Sequence, residues 1–193
     1  EFCINASRCA IYHLSTINKK LVVNILDKKI KGKILNNNIV SISYQINKNI
    51  DSLITNNKEY SIVNLDGINL IFLDEFENNI LLNKINDKDI FKKVKNKIMK
   101  FNINSKAIGI VLTNKNNIYP FIWVKEIVTL LLETACGSAS VAYSLLNYKK
   151  TKNCDYVINQ PSGYSVNIKL TTNKNVIKNI KFNGFVEEYK ERR

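Results

Sequence analysis

The sequence predicts a mixed α/β (α+β) fold dominated by short, mostly antiparallel strands, and three observations carry that expectation. β-branched runs at 21–26, 29–35 and 39–46 are separated by polar turns, the pattern of an antiparallel meander. Runs at 61–65 and 68–73 flank Asp66-Gly67, a dipeptide that supplies the positive φ a two-residue hairpin requires. Between 87 and 101 the period changes: Ile90, Phe91, Val94 and Ile98 recur at helical spacing, with Asp87 placed to cap the start.

The remaining elements follow in order. Residues after Cys3 read as a short helix ahead of the meander. Strands resume at 107–112 and 118–124, a second helix follows Cys136, and strands return at 156–158, 166–170, 176–182 and 185–189. Gln160-Pro161-Ser162-Gly163 makes a turn between two of these, because proline presets φ and glycine tolerates positive φ. With 193 residues, 45% of them hydrophobic, the chain has enough apolar side chain for a substantial core. Its richest apolar stretch, 121–132, is broken by Lys125 and Glu126, so no bilayer span is expected.

A net charge of +13 raises nucleic acid as a partner, since clustered cations release counterions from phosphates. The lysines, however, are scattered among Asn and Ile, as in Lys93-Val94-Lys95-Asn96-Lys97, and the arginines are Arg8, Arg192 and Arg193. The clusters that read bases are missing, so no nucleic-acid partner is expected; a basic binding module stands as the competing non-enzyme reading. Cys3, Cys9, Cys136 and Cys154 would form two disulfides in a secreted protein, but no charged-then-apolar leader is evident around Glu1-Phe2. Reduced thiols and a cytoplasmic location are expected. No Cys-x-x-Cys pair occurs and His13 is the single histidine, so no metal is expected either.

Two stretches share a theme. Cys3-Ile4-Asn5-Ala6-Ser7-Arg8-Cys9-Ala10 and Cys136-Gly137-Ser138-Ala139-Ser140 each place a cysteine and small or polar residues before a helical run, which suggests an internal duplication. Helix N-termini leave amides unpaired and carry partial positive charge, so each segment offers an anion site beside a thiol whose pKa would fall. Two such sites facing one another would grip one carboxylate. Racemisation needs a proton removed from one face of an α-carbon and delivered to the other, and opposed thiols suit it: cysteine's pKa of about 8.5 puts thiolate base and thiol acid within reach. Taken singly, each cysteine reads as a small buried hydrophobe; the matched contexts point to chemistry. Cys9, Cys154 and His13 read as structural or idle, and Pro120, Phe121 and Trp123 as core.

At these residues the chain resembles the diaminopimelate epimerase family, whose two active-site cysteines sit in segments of the type Cys-Gly-Asn-Gly-x-Arg-Cys and Ala-Cys-Gly-Ser-Gly. The resemblance extends to Ile180-Lys181-Phe182-Asn183-Gly184-Phe185-Val186-Glu187-Glu188-Tyr189, similar to the family's closing strands. It implies a racemase or epimerase that needs no pyridoxal phosphate or other cofactor, acting on a small amino-acid substrate, with Cys3 and Cys136 as the acid–base pair. The amides of Ile4, Asn5, Gly137 and Ser138 would hold the α-carboxylate. The implied fold is two pseudo-symmetric lobes, each a curved, mostly antiparallel sheet around a helix. Residues 1–46 plus 184–193 would form the N-terminal lobe, incomplete at its opening strands, and 47–183 the C-terminal lobe. A homodimer is left open.

Departures from the family pattern narrow the substrate. The Glu-Arg pair and the Asn-Pro-His segment that hold a distal carboxylate are absent; Asp66-Gly67-Ile68-Asn69 stands near the latter. Without an arginine partner a distal carboxylate would be poorly compensated in a closed cleft. Ile4 and Ala6 replace two family glycines. Glu133-Thr134-Ala135-Cys136-Gly137-Ser138 together with Gln160-Pro161-Ser162-Gly163 is similar to members that racemise histidine, including those serving metallophore synthesis. Histidine is therefore the expected substrate, with Glu133, Glu126 or Asn69 contacting its amino group or imidazole; diaminopimelate or another small amino acid is the alternative.

Overall fold

A computed structural model of the chain describes residues 3–15, 19–25, 27–35 and 38–187. Helix α1 (Ile4–Leu14) is followed by the expected meander of β1 (Leu21–Ile25), β2 (Lys28–Ile34) and β3 (Ile39–Asn49), antiparallel throughout. α1 lies against all three strands. It comes close to the meander at Gly32 of β2, where a Cβ would come within 2.6 Å of the Ile11 side chain. A glycine there lets a fully buried isoleucine seat the helix on the sheet.

A short helix α2 (Ile50–Leu53) and strand β4 (Ile54–Asn56) lead into the hairpin of β5 (Tyr60–Leu65) and β6 (Ile68–Leu73). Leu65 pairs with Ile68 across the Asp66-Gly67 turn, and Gly67 has φ 93°, as that dipeptide predicts. Sequence periodicity missed the next helix, α3 (Glu75–Leu82). Asp74 caps it by accepting from the Glu77 amide at 2.9 Å, and the helix buries only Asn78 and Leu81. Too few apolar positions face inward for a helical period to show. Asn78 instead docks by polar pairing, its amide exchanging two 2.8 Å hydrogen bonds with the backbone of Thr113.

α4 (Ile90–Lys100) begins later than its expected cap. Asp87 belongs to the preceding turn, where its carbonyl accepts from the Ile90 amide, and its side chain pairs with Lys93. Strands β7 (Ala107–Asn114), β8 (Asn117–Val124) and β9 (Thr129–Leu132) precede α5 (Gly137–Thr151), and β10 (Asp155–Asn159), β11 (Ser165–Asn173) and β12 (Val176–Phe185) close the chain. β12 runs unbroken through Asn183 and Gly184, where two strands were expected, because β3 and β11 pair with it on both sides along that stretch. Glu188 and Tyr189 lie outside the described residues.

The strands form one mostly antiparallel sheet in the order β1-β2-β3-β12-β11-β10-β8-β7-β6-β5-β4, with β9 on β8. Among the described residues, only β6 with β7 and β8 with β10 run parallel. The sheet continues without a break from the α1 side to the α5 side through β3 and β12. One hydrophobic core takes in both α1 and α5; a second joins α3 and α4 to the opposite face of β6, β7 and β8, with Phe121 and Trp123 inside it. No helix of the described residues is long and apolar enough to cross a membrane.

Candidate active site

Cys3 and Cys136 occupy the same structural position twice. Each is the N-cap of its helix in extended conformation, with φ/ψ of −104°/113° and −128°/104°. Each sulfur accepts from the amide three residues on, Ala6 or Ala139, at 3.4 Å. Each carbonyl accepts from the backbone amide and the hydroxyl of the serine four residues on: Ser7 at 3.0 and 2.8 Å, Ser140 at 3.1 and 2.8 Å. The shared Cys-x-x-Ala-Ser spacing underlies this: serine hydroxyls back-bond to the carbonyl four residues earlier, and alanine puts no bulk beside the sulfur. That common Ala-Ser signal is legible in the sequence once the two segments are written one above the other.

The two helix starts abut. Asn5 donates from Nδ2 to the carbonyl of Ala135 at 2.8 Å, reaching across from the first turn of α1 to the residue before Cys136. A Cβ on Gly137 would lie 2.7 Å from Cβ of Ile4 and 3.2 Å from Oδ1 of Asn5. Gly137 is therefore the residue that allows this approach, the close backbone contact for which glycine is suited. Ile4 and Ser138 also line one crevice, together with Tyr44, Asn64 and Asp66. Sequence reading placed Ile4, Asn5, Gly137 and Ser138 in one site; the fold brings these four together. Asn5 meets its neighbour through its side chain.

The surroundings of the two sulfurs differ. Cys3 is exposed and Cys136 buried, and both are free thiols, as are Cys9 and Cys154. Burial pushes the Cys136 thiol well above the ordinary cysteine range, and Glu133, hydrogen-bonded to it, pushes it further. The amides of Ala139 and Ser138 pull the other way and lose. The expected fall in pKa at this helix terminus is thus reversed: desolvation and a neighbouring carboxylate outweigh two backbone dipoles. Glu133 lies beside the sulfur, where its contact is with the thiol.

Gln160, read in the sequence as part of a turn and of the segment similar to histidine-racemising members but given no role of its own, holds the start of α5. Its buried side chain donates from Nε2 to the Cys136 carbonyl at 3.2 Å and to Ser140 Oγ at 2.9 Å, while the Ser162 amide donates to the Thr134 carbonyl at 2.8 Å. Asn69 sits half-buried in β6 opposite Asn64; of the two, Asn64 lines the crevice that reaches Ile4 and Ser138. Glu126 is exposed in the turn before β9. His13 and Cys9 are exposed on α1 and Cys154 is half-buried, while Trp123 is buried beneath Lys95, whose ammonium is 4.6 Å from the ring centre. Among the described residues, no group of three or more His, Cys, Asp and Glu side chains is placed to hold a metal ion.

Solved structures share this architecture. The chain matches a putative phenazine biosynthesis PhzC/PhzF protein from Clostridium difficile (strain 630) with a TM-score of 0.55 at 16% identity, over 96% of this chain and 70% of that one. A phenazine biosynthesis PhzF-family protein from Enterococcus faecalis gives 0.54 at 10% identity, over 95% of this chain and 69% of that one. These likenesses establish the diaminopimelate epimerase-like fold, in agreement with the expected fold class. Comparison with curated protein sequences finds no match. The family model of the histidine racemase CntK N-terminal domain matches residues 1–189, and the chain belongs to that family. Membership of that family makes it an enzyme of the racemase class, an isomerase.

Proposed function

We propose that this chain carries both catalytic cysteines of a cofactor-independent racemase whose substrate is histidine. The observation that carries the reading is the duplicated cap: two cysteines in one backbone conformation, at the starts of two helices that touch. In each catalytic direction the thiolate on one face takes the α-proton, and the C–H electron pair stays on the substrate as an enolate shared with the carboxylate. The thiol on the other face then protonates the α-carbon. No proton is gained or lost overall, and the two sulfurs exchange protonation states.

The first-turn amides of Ile4, Asn5, Gly137 and Ser138 would hold the carboxylate and take up the enolate charge as it develops, the role preorganised N–H donors fill best. Burial and Glu133 favour the protonated form of Cys136, which suits it to act as the acid while Cys3 acts as the base. Asn69 and Glu133 are the residues proposed to face the amino group or imidazole. Residues 1–46 with 184–193 would make one lobe and 47–183 the other, each around one cysteine-bearing helix. Reduced thiols are required throughout, as in the cytoplasm.

The test uses the complete enzyme with L-histidine, read by chiral chromatography beside a panel that includes diaminopimelate. Cys3→Ser and Cys136→Ser should each lower histidine racemisation by about 10²–10⁴-fold, the usual worth of a positioned acid or base. Undiminished turnover in either variant would remove that cysteine from the mechanism. Faster turnover of diaminopimelate than of histidine would reassign the substrate.

A further inference from the structure

Arg8 is an unusual presence in the α1 face that packs on the sheet. It is 6% exposed, and no carboxylate forms an ion pair with it among the described residues. Its Nη1 donates to the Phe185 carbonyl at 3.3 Å, its Nη2 donates to Asn5 Oδ1 at 3.0 Å, and its guanidinium carbon stands 5.0 Å from the centre of the Phe182 ring. Nε is buried with no hydrogen-bond partner among the described residues. β12 has made room for it: a Cβ on Gly184 would lie 2.0 Å from Nη1 and 3.1 Å from Cζ. An apolar side chain would fill this volume at lower desolvation cost, so packing alone does not account for arginine.

The partner supplies the reason. Asn5 is the residue whose amide crosses to the Ala135 carbonyl. An asparagine amide has one acceptor and one donor end of nearly equal shape. A cation donating to Oδ1 fixes which end is which and leaves Nδ2 aimed at Ala135. Arg8 in turn is fixed by β12 through Phe185 and Phe182, so the register of α1 against α5 is referred to β12, the strand between β3 and β11. We propose that Arg8 is a positioning residue, which acts through Asn5 to hold the two cysteine-capped helix starts at their working separation. The proposal rests on the two-cysteine reading above.

Loss of spacing has a chemical signature that loss of folding lacks. A thiolate that still reaches the α-proton can exchange it with solvent, but inversion needs the second sulfur on the opposite face at the same time. The experiment measures, in D₂O with the whole enzyme, inversion of L-histidine against α-deuteration with retained configuration, for wild type, Arg8→Met, Arg8→Lys and Gly184→Ala, with thermal melts to normalise for folded protein. Arg8→Met and Gly184→Ala should lower inversion by about 100-fold, the cost of a displacement near 1 Å, while retained-configuration exchange falls far less. Arg8→Lys, which keeps the charge but not the fork, should melt closer to wild type and still show the raised ratio of exchange to inversion. Exchange and inversion falling together, or full inversion in Arg8→Lys, would overturn the proposal. Failure of the two-cysteine reading would appear separately, as inversion that survives in the cysteine variants.

Discussion

Cys136 shows how burial and backbone dipoles compete at a single atom. The sequence marks it as a helix cap, and helix caps lower a thiol's pKa, yet desolvation and Glu133 raise it. Neither opposing influence is visible in a local window, because burial depends on the sheet around α5 and the orientation of Glu133 on the hydrogen bond from its amide to Pro120. The sign of the pH effect follows. A folded-state pKa above the unfolded value contributes stability that is fully present below the unfolded thiol's pKa, about 8.5. That stability is lost as the pH rises through the folded value. Thermal melts across the alkaline range should show the wild type losing stability and Cys136→Ala losing less. Glu133→Gln should bring the Cys136 thiol down towards the ordinary range, read as faster alkylation by a thiol reagent at fixed pH.

At the level of elements, the account turns on how α1 and α5 are seated. Gln160→Ala would strip a buried amide from the Cys136 carbonyl and from Ser140 Oγ. A cost of about 1–3 kcal/mol is expected from unmaking buried hydrogen bonds, measured by denaturant unfolding. Gly32→Ala would drive a methyl into Ile11, for about 1–3 kcal/mol of overpacking. Gly137→Ala would press on Ile4 and part the helix starts, so activity should fall further than stability. The meander, the Asp66-Gly67 hairpin and both cysteine-capped helices were legible in the sequence because each is a local pattern. α3 was not, since a polar helix docked through Asn78 has no apolar stripe to read. The late start of α4 was hidden because an aspartate ahead of an apolar period reads as a cap, and only the turn in which the Asp87 carbonyl accepts from the Ile90 amide shows that the helix begins beyond it.

Across the molecule, the feature that builds the site is the union of distant segments. β3 pairs with β12 and β11 lies beyond it, so residues near 40 meet residues near 184; no local pattern carries that information. A charged contact reinforces the seam: Asp66, in the β5–β6 turn, binds Lys28 of β2 at 2.6 Å and Lys48 of β3 at 3.0 Å. The hydrogen bonds from Lys28 and Lys48 hold the Asp66 carboxyl below its ordinary range. A lowered folded pKa gives stability present above the unfolded aspartate value and lost as the pH falls through the folded one. Asp66→Asn should therefore flatten the acid limb of the stability profile, and added salt should weaken the same contribution, chiefly at the contact with Lys48, where both side chains are half-exposed.

The most direct test of two thiols acting on one carbon is the isotopic course of the first turnovers. With L-histidine in D₂O, proton NMR and chiral separation at low conversion should find deuterium in the newly formed D-histidine while the remaining L-histidine stays protiated at its α-carbon. Protium carried into the D-product, or deuterium entering both enantiomers at equal rates, would mean that a single base serves both faces and would contradict the account.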